Sequence, residues 1–223
     1  MSRLLASFTL AAALIAGTAH AQETGSMRSS TTSIDVPEGS ATGDAARAVY
    51  DKFALCIVKR HYMQVSKALA GPPNFDKDMQ TLPPLMDKEC FFGSASVGRS
   101  VGQSLQLTTN PISFRGQLFK AMVLRDFARK PAAFGPTALT MTGDNSDLFQ
   151  FANCVIRRDP AASMTLFKAN AGTAAEATAF GAIKPYLDEC GAGRRVSIDK
   201  GTLIGFMAEA YYREASASSA SSN

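Results

Sequence analysis

The chain has 223 residues, of which 46% are hydrophobic and 19% charged, with a formal net charge of +4. That length bounds it to one domain or two small ones, with enough apolar content for a substantial core. The mild charge balance excludes nucleic acid or an anionic membrane as a partner recognised by bulk charge.

Residues 1–21 read as an export signal. Arg3 supplies the positive start, residues 4–15 form an apolar stretch, and Ala19-His20-Ala21 gives the small-x-small cleavage pattern. The stretch is well short of the ~20 residues needed to cross a bilayer, and no later stretch does better, so no membrane span is expected. The expected location is periplasmic or secreted. Residues 22–43 are rich in Ser, Thr, Gly and Glu without an apolar period and are expected to form a flexible arm.

The body of the chain writes one pattern twice. Phe53-Ala54-Leu55-Cys56-Ile57-Val58-Lys59-Arg60 returns as Phe151-Ala152-Asn153-Cys154-Val155-Ile156-Arg157-Arg158. A second cysteine follows each copy at nearly the same interval, Cys90 and Cys190, and each stands directly after a glutamate, Glu89 and Glu189. Farther on, Arg115-Gly116-Gln117-Leu118 with Met122 corresponds to Lys200-Gly201-Thr202-Leu203 with Met207. So many matched chemical classes indicate an internal duplication.

The periodicity within each copy is helical. Asp44 is placed to cap a helix striped by Val49, Phe53, Cys56, Ile57 and Arg60. The second copy starts near Ser146 or Asp147, and Asp159-Pro160 then ends one helix and opens another. His61 and Tyr62 hold those positions in the first copy, so its helix is expected to bend there. The next element of the first copy carries Pro83-Pro84 and is expected to split into two short helices. Its counterpart opens with Thr173-x-x-Glu176, a capping box, and holds Pro185. A last helix closes each copy, one marked by Leu118, Met122 and Arg125, the other by Leu203, Met207, Ala210 and Tyr211.

The expected architecture is all-α: two tandem repeats of three to four helices each, at 44–130 and 146–214, joined by a Pro/Gly-rich linker at 131–145. Each repeat is too short for a comfortable core of its own, so a shared interface is expected. Residues 93–110 are an insertion without a counterpart, and 215–223 read as a disordered low-complexity tail. The duplication favours one disulfide per repeat, Cys56–Cys90 and Cys154–Cys190, each stabilising by about 3–4 kcal/mol for loops of this length. Zinc held by all four is disfavoured, because no close cysteine pair occurs. The pattern, with its terminal Met207-Ala208-Glu209-Ala210-Tyr211-Tyr212 segment, resembles a loose group of uncharacterised exported bacterial proteins. These have duplicated helical units, each with a cysteine pair. The resemblance covers roughly residues 44–214 and implies architecture, with no activity.

Catalytic machinery is thin. Of two histidines, His20 lies in the signal, which leaves His61. The cysteines are better used as bridges than as nucleophiles. No phosphate loop is formed by Gly93, Gly98 and Gly102. The carboxylate pairs Asp188-Glu189 and Asp87 with Glu89 lack a tryptophan platform for sugars. No catalytic, cofactor-binding or metal-binding residue is therefore assigned, and no cofactor is expected. The best polar candidates are Arg60 and Arg158, one per repeat, either as helix-end cations or as a paired clamp for an anion or carboxylate. The functional expectation is a non-enzymatic binding or interaction module of the cell envelope. Its partner would be another protein, a cell-wall component or a small ligand. The alternatives are a carboxylate-dependent hydrolase and an envelope stress chaperone.

Overall fold

The structure, a computed structural model, describes residues 41–85, 87, 89–90, 111–143, 145–191 and 198–220. Every regular element among them is helical. The expected signal at 1–21, residues 22–40 of the expected arm, the insertion at 93–110 and the tail end at 221–223 lie outside the described residues, and the arm's last residues, 41–43, are instead the start of a helix.

Helix α1 (Ala41–Ala68) opens the first repeat and is kinked at His61, whose φ of −126° and ψ of 31° leave helical geometry. The second repeat makes the same bend by a full break. Helix α4 (Ser146–Arg158) stops at Asp159, and Pro160 starts α5 (Pro160–Lys168). The Asp159 carboxylate accepts from the Ala162 amide at 2.8 Å, satisfying an otherwise orphaned donor. The first repeat continues with α2 (Phe75–Thr81), capped by Asn74 accepting from the Lys77 amide, and then a 3-10 turn at Pro83–Leu85. Both prolines fall in that turn, where their missing amide protons break no helix. Helix α6 (Ala174–Gly191) is the counterpart in the second repeat and contains Pro185. Helices α3 (Pro111–Asp126) and α7 (Lys200–Ala220) close the two repeats.

The closing helices lie side by side in the same direction. Ser113 meets Thr202 near their starts, Gly116 meets Gly205 one turn later, and Phe119 and Phe127 meet Tyr212 farther along. At Gly116 a β-carbon would fall 2.5 Å from the Cα of Gly205, so only hydrogen fits between the backbones. Around this pair one continuous core forms. Phe53, Ile57, Phe114, Leu118 and Met122 of the first repeat join Phe149, Val155, Phe167, Met207 and Tyr211 of the second. The halves therefore share one interior, as their small size requires.

The connection between repeats is packed down as well. The Ala132 amide donates to the Tyr211 hydroxyl at 3.2 Å, the Gly135 amide to Ser218 Oγ at 2.8 Å, and the Leu139 amide to Glu214 at 2.8 Å. These bonds also explain a correction to the sequence reading. Residues 215–223 were expected to be a disordered tail, but α7 runs on to Ala220 with Ala215 fully buried. Alanine is the best helix former. The Ser218 and Ser219 hydroxyls donate back to the carbonyls of Glu214 and Ala215 within the helix.

Gly116→Ala is expected to cost about 2 kcal/mol by forcing two backbones apart and to lower the thermal midpoint by about 4–8 °C. Gly181→Ala is the control. It lies in α6 with nothing within 4 Å of the added carbon, so it should stabilise by about 0.5–1 kcal/mol. Equal midpoints for the two variants in a thermal melt would contradict the close crossing.

Candidate functional site: the groove between the repeats

An open groove of about 510 Å³ lies at the seam between the repeats. Its apolar lining comes from Leu69 just after α1, Phe119 and Met122 of α3, Phe149 of α4, and Leu139 and Met141 of the connection. Its polar edge is Ser66, Thr140, Thr142, Tyr212, Arg213 and Ser216. Volume and lining fall within the usual range for small-molecule sites.

The charged end of the groove is already internally satisfied. Arg213 donates to Glu209 at 2.8 Å and to the backbone carbonyls of Leu69 and Gly71 at 3.1 and 2.5 Å. Arg115 stands behind it, its side chain only 2% exposed. It donates to both oxygens of Glu209 at 3.1 and 2.9 Å, to Asp78 at 3.1 Å, and to Gly71 O at 2.6 Å. The two guanidiniums thus cover carbonyls at the end of α1, where the helix dipole presents negative charge. Both also lie over the Phe119 ring, at 5.2 and 5.3 Å from its centroid. Burial pushes the Asp78 carboxyl up against the pull of Arg115. Tyr212 is held neutral: burial, then its hydrogen bond with Tyr62 at 3.1 Å, raises its phenol well above the usual range. The groove therefore offers apolar surface and hydroxyls, with its charge already paired.

Arg60 and Arg158 do not line the groove. Each holds a carboxylate of its own repeat, beside its own disulfide. Arg60 pairs with Glu89 and, at 3.1 Å, with Asp87; Arg158 pairs with Glu189 at 2.6 Å. The glutamate before each second cysteine is the partner of the arginine four residues after each first one. The bridges Cys56–Cys90 and Cys154–Cys190 close intervals of 34 and 36 residues. Asp87 also accepts from the Glu89 amide at 2.8 Å and meets His61 Nε2 at 2.9 Å. The His61 hydrogen bond is the chief cause that holds the Asp87 carboxyl below the usual carboxylate range. Asp188 is exposed at the end of α6, and Arg194 and Arg195 lie outside the described residues.

A second ionic set repeats the logic of Asp78 and Arg115. Glu176 stands in the second repeat as Asp78 stands in the first, and Lys200 matches Arg115. Lys200 lies 3.2 Å from Glu176. Arg47 adds a fork across the repeats, at 2.6 and 2.8 Å. Thr173 Oγ1 accepts from the Glu176 amide, but the Glu176 carboxylate reaches back to the Gly172 amide, one residue beyond the usual capping box. Burial alone would raise the Glu176 carboxyl. Arg47, the Gly172 amide and Lys200 together hold it down at about 2. The sequence reading named neither Arg47 nor Arg115 as a buried cation. A matched acid and base at equivalent places in the two repeats was the available signal.

No group of three or more His, Cys, Asp or Glu side chains placed to hold a metal ion occurs among the described residues. Comparison with protein-family models, curated proteins and solved structures finds no match to this chain.

Arg115→Met is expected to destabilise by about 3–5 kcal/mol in urea titration, because it strands buried carboxylates. Arg115→Lys should recover only part of that, since an ammonium cannot replace the fork. Glu176 predicts an acid limb. Its folded value of about 2 lies below the ordinary 4.5, so its contribution is complete above pH 4.5 and fades as pH falls through 2. The full amount is about 3 kcal/mol. Glu176→Gln should flatten that limb, and an unchanged slope between those values would contradict the pairing.

Proposed function

We propose that this chain is an exported, non-enzymatic binding module of the cell envelope, whose inter-repeat groove takes a small, neutral, mainly apolar ligand. The observation that carries the reading is the groove itself. Leu69, Phe119, Met122 and Phe149 form its apolar wall, while the Arg213 guanidinium on its edge is occupied by Glu209 and the carbonyls of Leu69 and Gly71 just after α1. A charged ligand would compete with those internal bonds, whereas an apolar body with a hydroxyl or carbonyl group would meet Tyr212, Thr140 and Thr142. The disulfides support an oxidising compartment, where such bridges persist. No described helix is long and apolar enough to cross a membrane.

Nile red, a neutral apolar dye, is the probe. It should brighten on the protein, and Thr142→Trp, at an exposed position on the groove edge, should weaken that binding about tenfold or more by filling the space. Equal dye binding by both proteins, with the melting curve unchanged, would remove the groove as the site.

A further inference from the structure

The same face of the first long helix is treated differently in the two repeats. In the second repeat, Asn153 and Arg157 of α4 are covered by the extended connection. Leu139 O accepts from Asn153 at 3.0 Å, and Gly135 O and Pro136 O accept from Arg157 at 2.6 and 3.2 Å. The Glu214 carboxylate completes the cover at 2.9 Å from Arg157. Asn153 is left 2% exposed. The equivalent residues of α1 are Leu55 and Lys59, and they stand open. Leu55 is 42% exposed and Met63 75%, the two large apolar side chains that are exposed among the described residues.

Lysines alternate with them. Lys52, Leu55, Lys59, Met63 and Lys67 are all exposed on α1. Lys52, Leu55 and Lys59 precede the kink at His61, and Met63 and Lys67 follow it; at ideal helical pitch each group falls within about a sixth of a turn. Carboxylates near this stripe are engaged elsewhere: Asp51 turns inward to Lys120 at 2.7 Å, and Glu89 and Asp87 are held by Arg60 and His61. Among the described residues no hydrogen bond or ion pair engages the side chains of Lys52, Lys59 or Lys67.

We propose that this stripe is the docking surface for an extended segment of a partner protein whose helix-facing side chains, every second residue, alternate acidic with apolar. The second repeat supplies the template. There, the connection lies on the equivalent face and gives carbonyl oxygens to the cation at the position of Lys59, while Glu214 of α7 supplies the carboxylate. On α1 the cations are three and alternate with apolar side chains. Successive residues of an extended chain point to opposite faces, so the complementary segment alternates carboxylate and apolar side chains at every second residue. Even without the bend at His61 the stripe from Lys52 to Lys67 spans at most about 22 Å, the reach of about seven residues of extended chain. The surface is separate from the groove, and the proposal does not rest on the reading of the groove.

The test is fluorescence anisotropy with a labelled peptide of about seven residues in which every second residue is in turn glutamate and leucine, with serine between them, against its lysine-for-glutamate analogue. The glutamate peptide should bind and the lysine peptide should not. The triple variant Lys52→Gln, Lys59→Gln, Lys67→Gln should weaken binding about tenfold or more. So should Leu55→Ser with Met63→Ser, for loss of the apolar contacts. Lys168→Gln with Lys184→Gln, exposed lysines on α5 and α6, should leave it unchanged. All of these positions are exposed, and circular dichroism reports whether each variant is folded. Equal peptide binding by the triple variant would overturn the proposal. So would binding to vesicles of equal parts phosphatidylglycerol and phosphatidylcholine without peptide binding. A photoreactive residue at position 63 that crosslinks to residues 22–40 of the same chain would overturn it too, by making the occupant internal.

Discussion

The contact on which the rest of the structure depends is the meeting of two backbones at Gly116 and Gly205. With no side chain on either residue, α3 and α7 approach until a β-carbon on one would overlap the other. Close approach brings the flanking side chains into register, so that Phe114, Leu118 and Met122 share one interior with Met207 and Tyr211. Dispersion and burial over so many small contacts outweigh the entropy of ordering two short repeats, which neither repeat could offset alone. The first helices of both repeats pack against this pair, and the groove opens at the seam with Leu69, Phe119, Met122 and Phe149 in its wall.

Charge is organised around the same seam. Each repeat buries an acid against a base of its closing helix, Asp78 with Arg115 and Glu176 with Lys200. Each pair also draws in the other repeat, through Glu209 in one case and Arg47 in the other. Buried ion pairs are poor sources of net stability but strict enforcers of geometry, because a half-made pair is costly. In this protein they fix how the repeats sit on each other. The disulfides act more locally, tying the end of the third element to the first helix within each repeat.

The fold was legible where one residue type has few alternative uses. Cysteines at matching intervals identified the bridges, Asp159-Pro160 marked a helix boundary, and Pro83-Pro84 marked a broken element. The groove was not legible, because Phe119, Met122 and Phe149 carry the same helical spacing whether they line a cavity or fill a core. Arg115 was read as part of a repeat signature, and burial of a cation follows from its three-dimensional partners alone. The tail misled because Ala and Ser composition describes both a solvated linker and a helix end. What decides between them is the buried face that Ala215 finds and the Gly135 amide that Ser218 caps.

Duplication separates structure from use in a way that a single copy does not. Among the residues kept in both copies, the cysteines, Arg60 with Glu89, and Arg158 with Glu189 make bonds inside their own repeat, while the matched ion pairs of Arg115 and Glu176 tie the repeats together. They answer a need that both copies share, which is folding. Positions that diverged answer to only one copy. Asn153 and Arg157 accommodate the connection, whereas Leu55 and Lys59 at the matching places face outward. The groove is likewise asymmetric, drawing on α1, α3 and the connection, which exists once. The two surfaces proposed for recognition both lie where the repeats differ, at the seam and along α1, and the repeated signature is the scaffold that holds those surfaces in place.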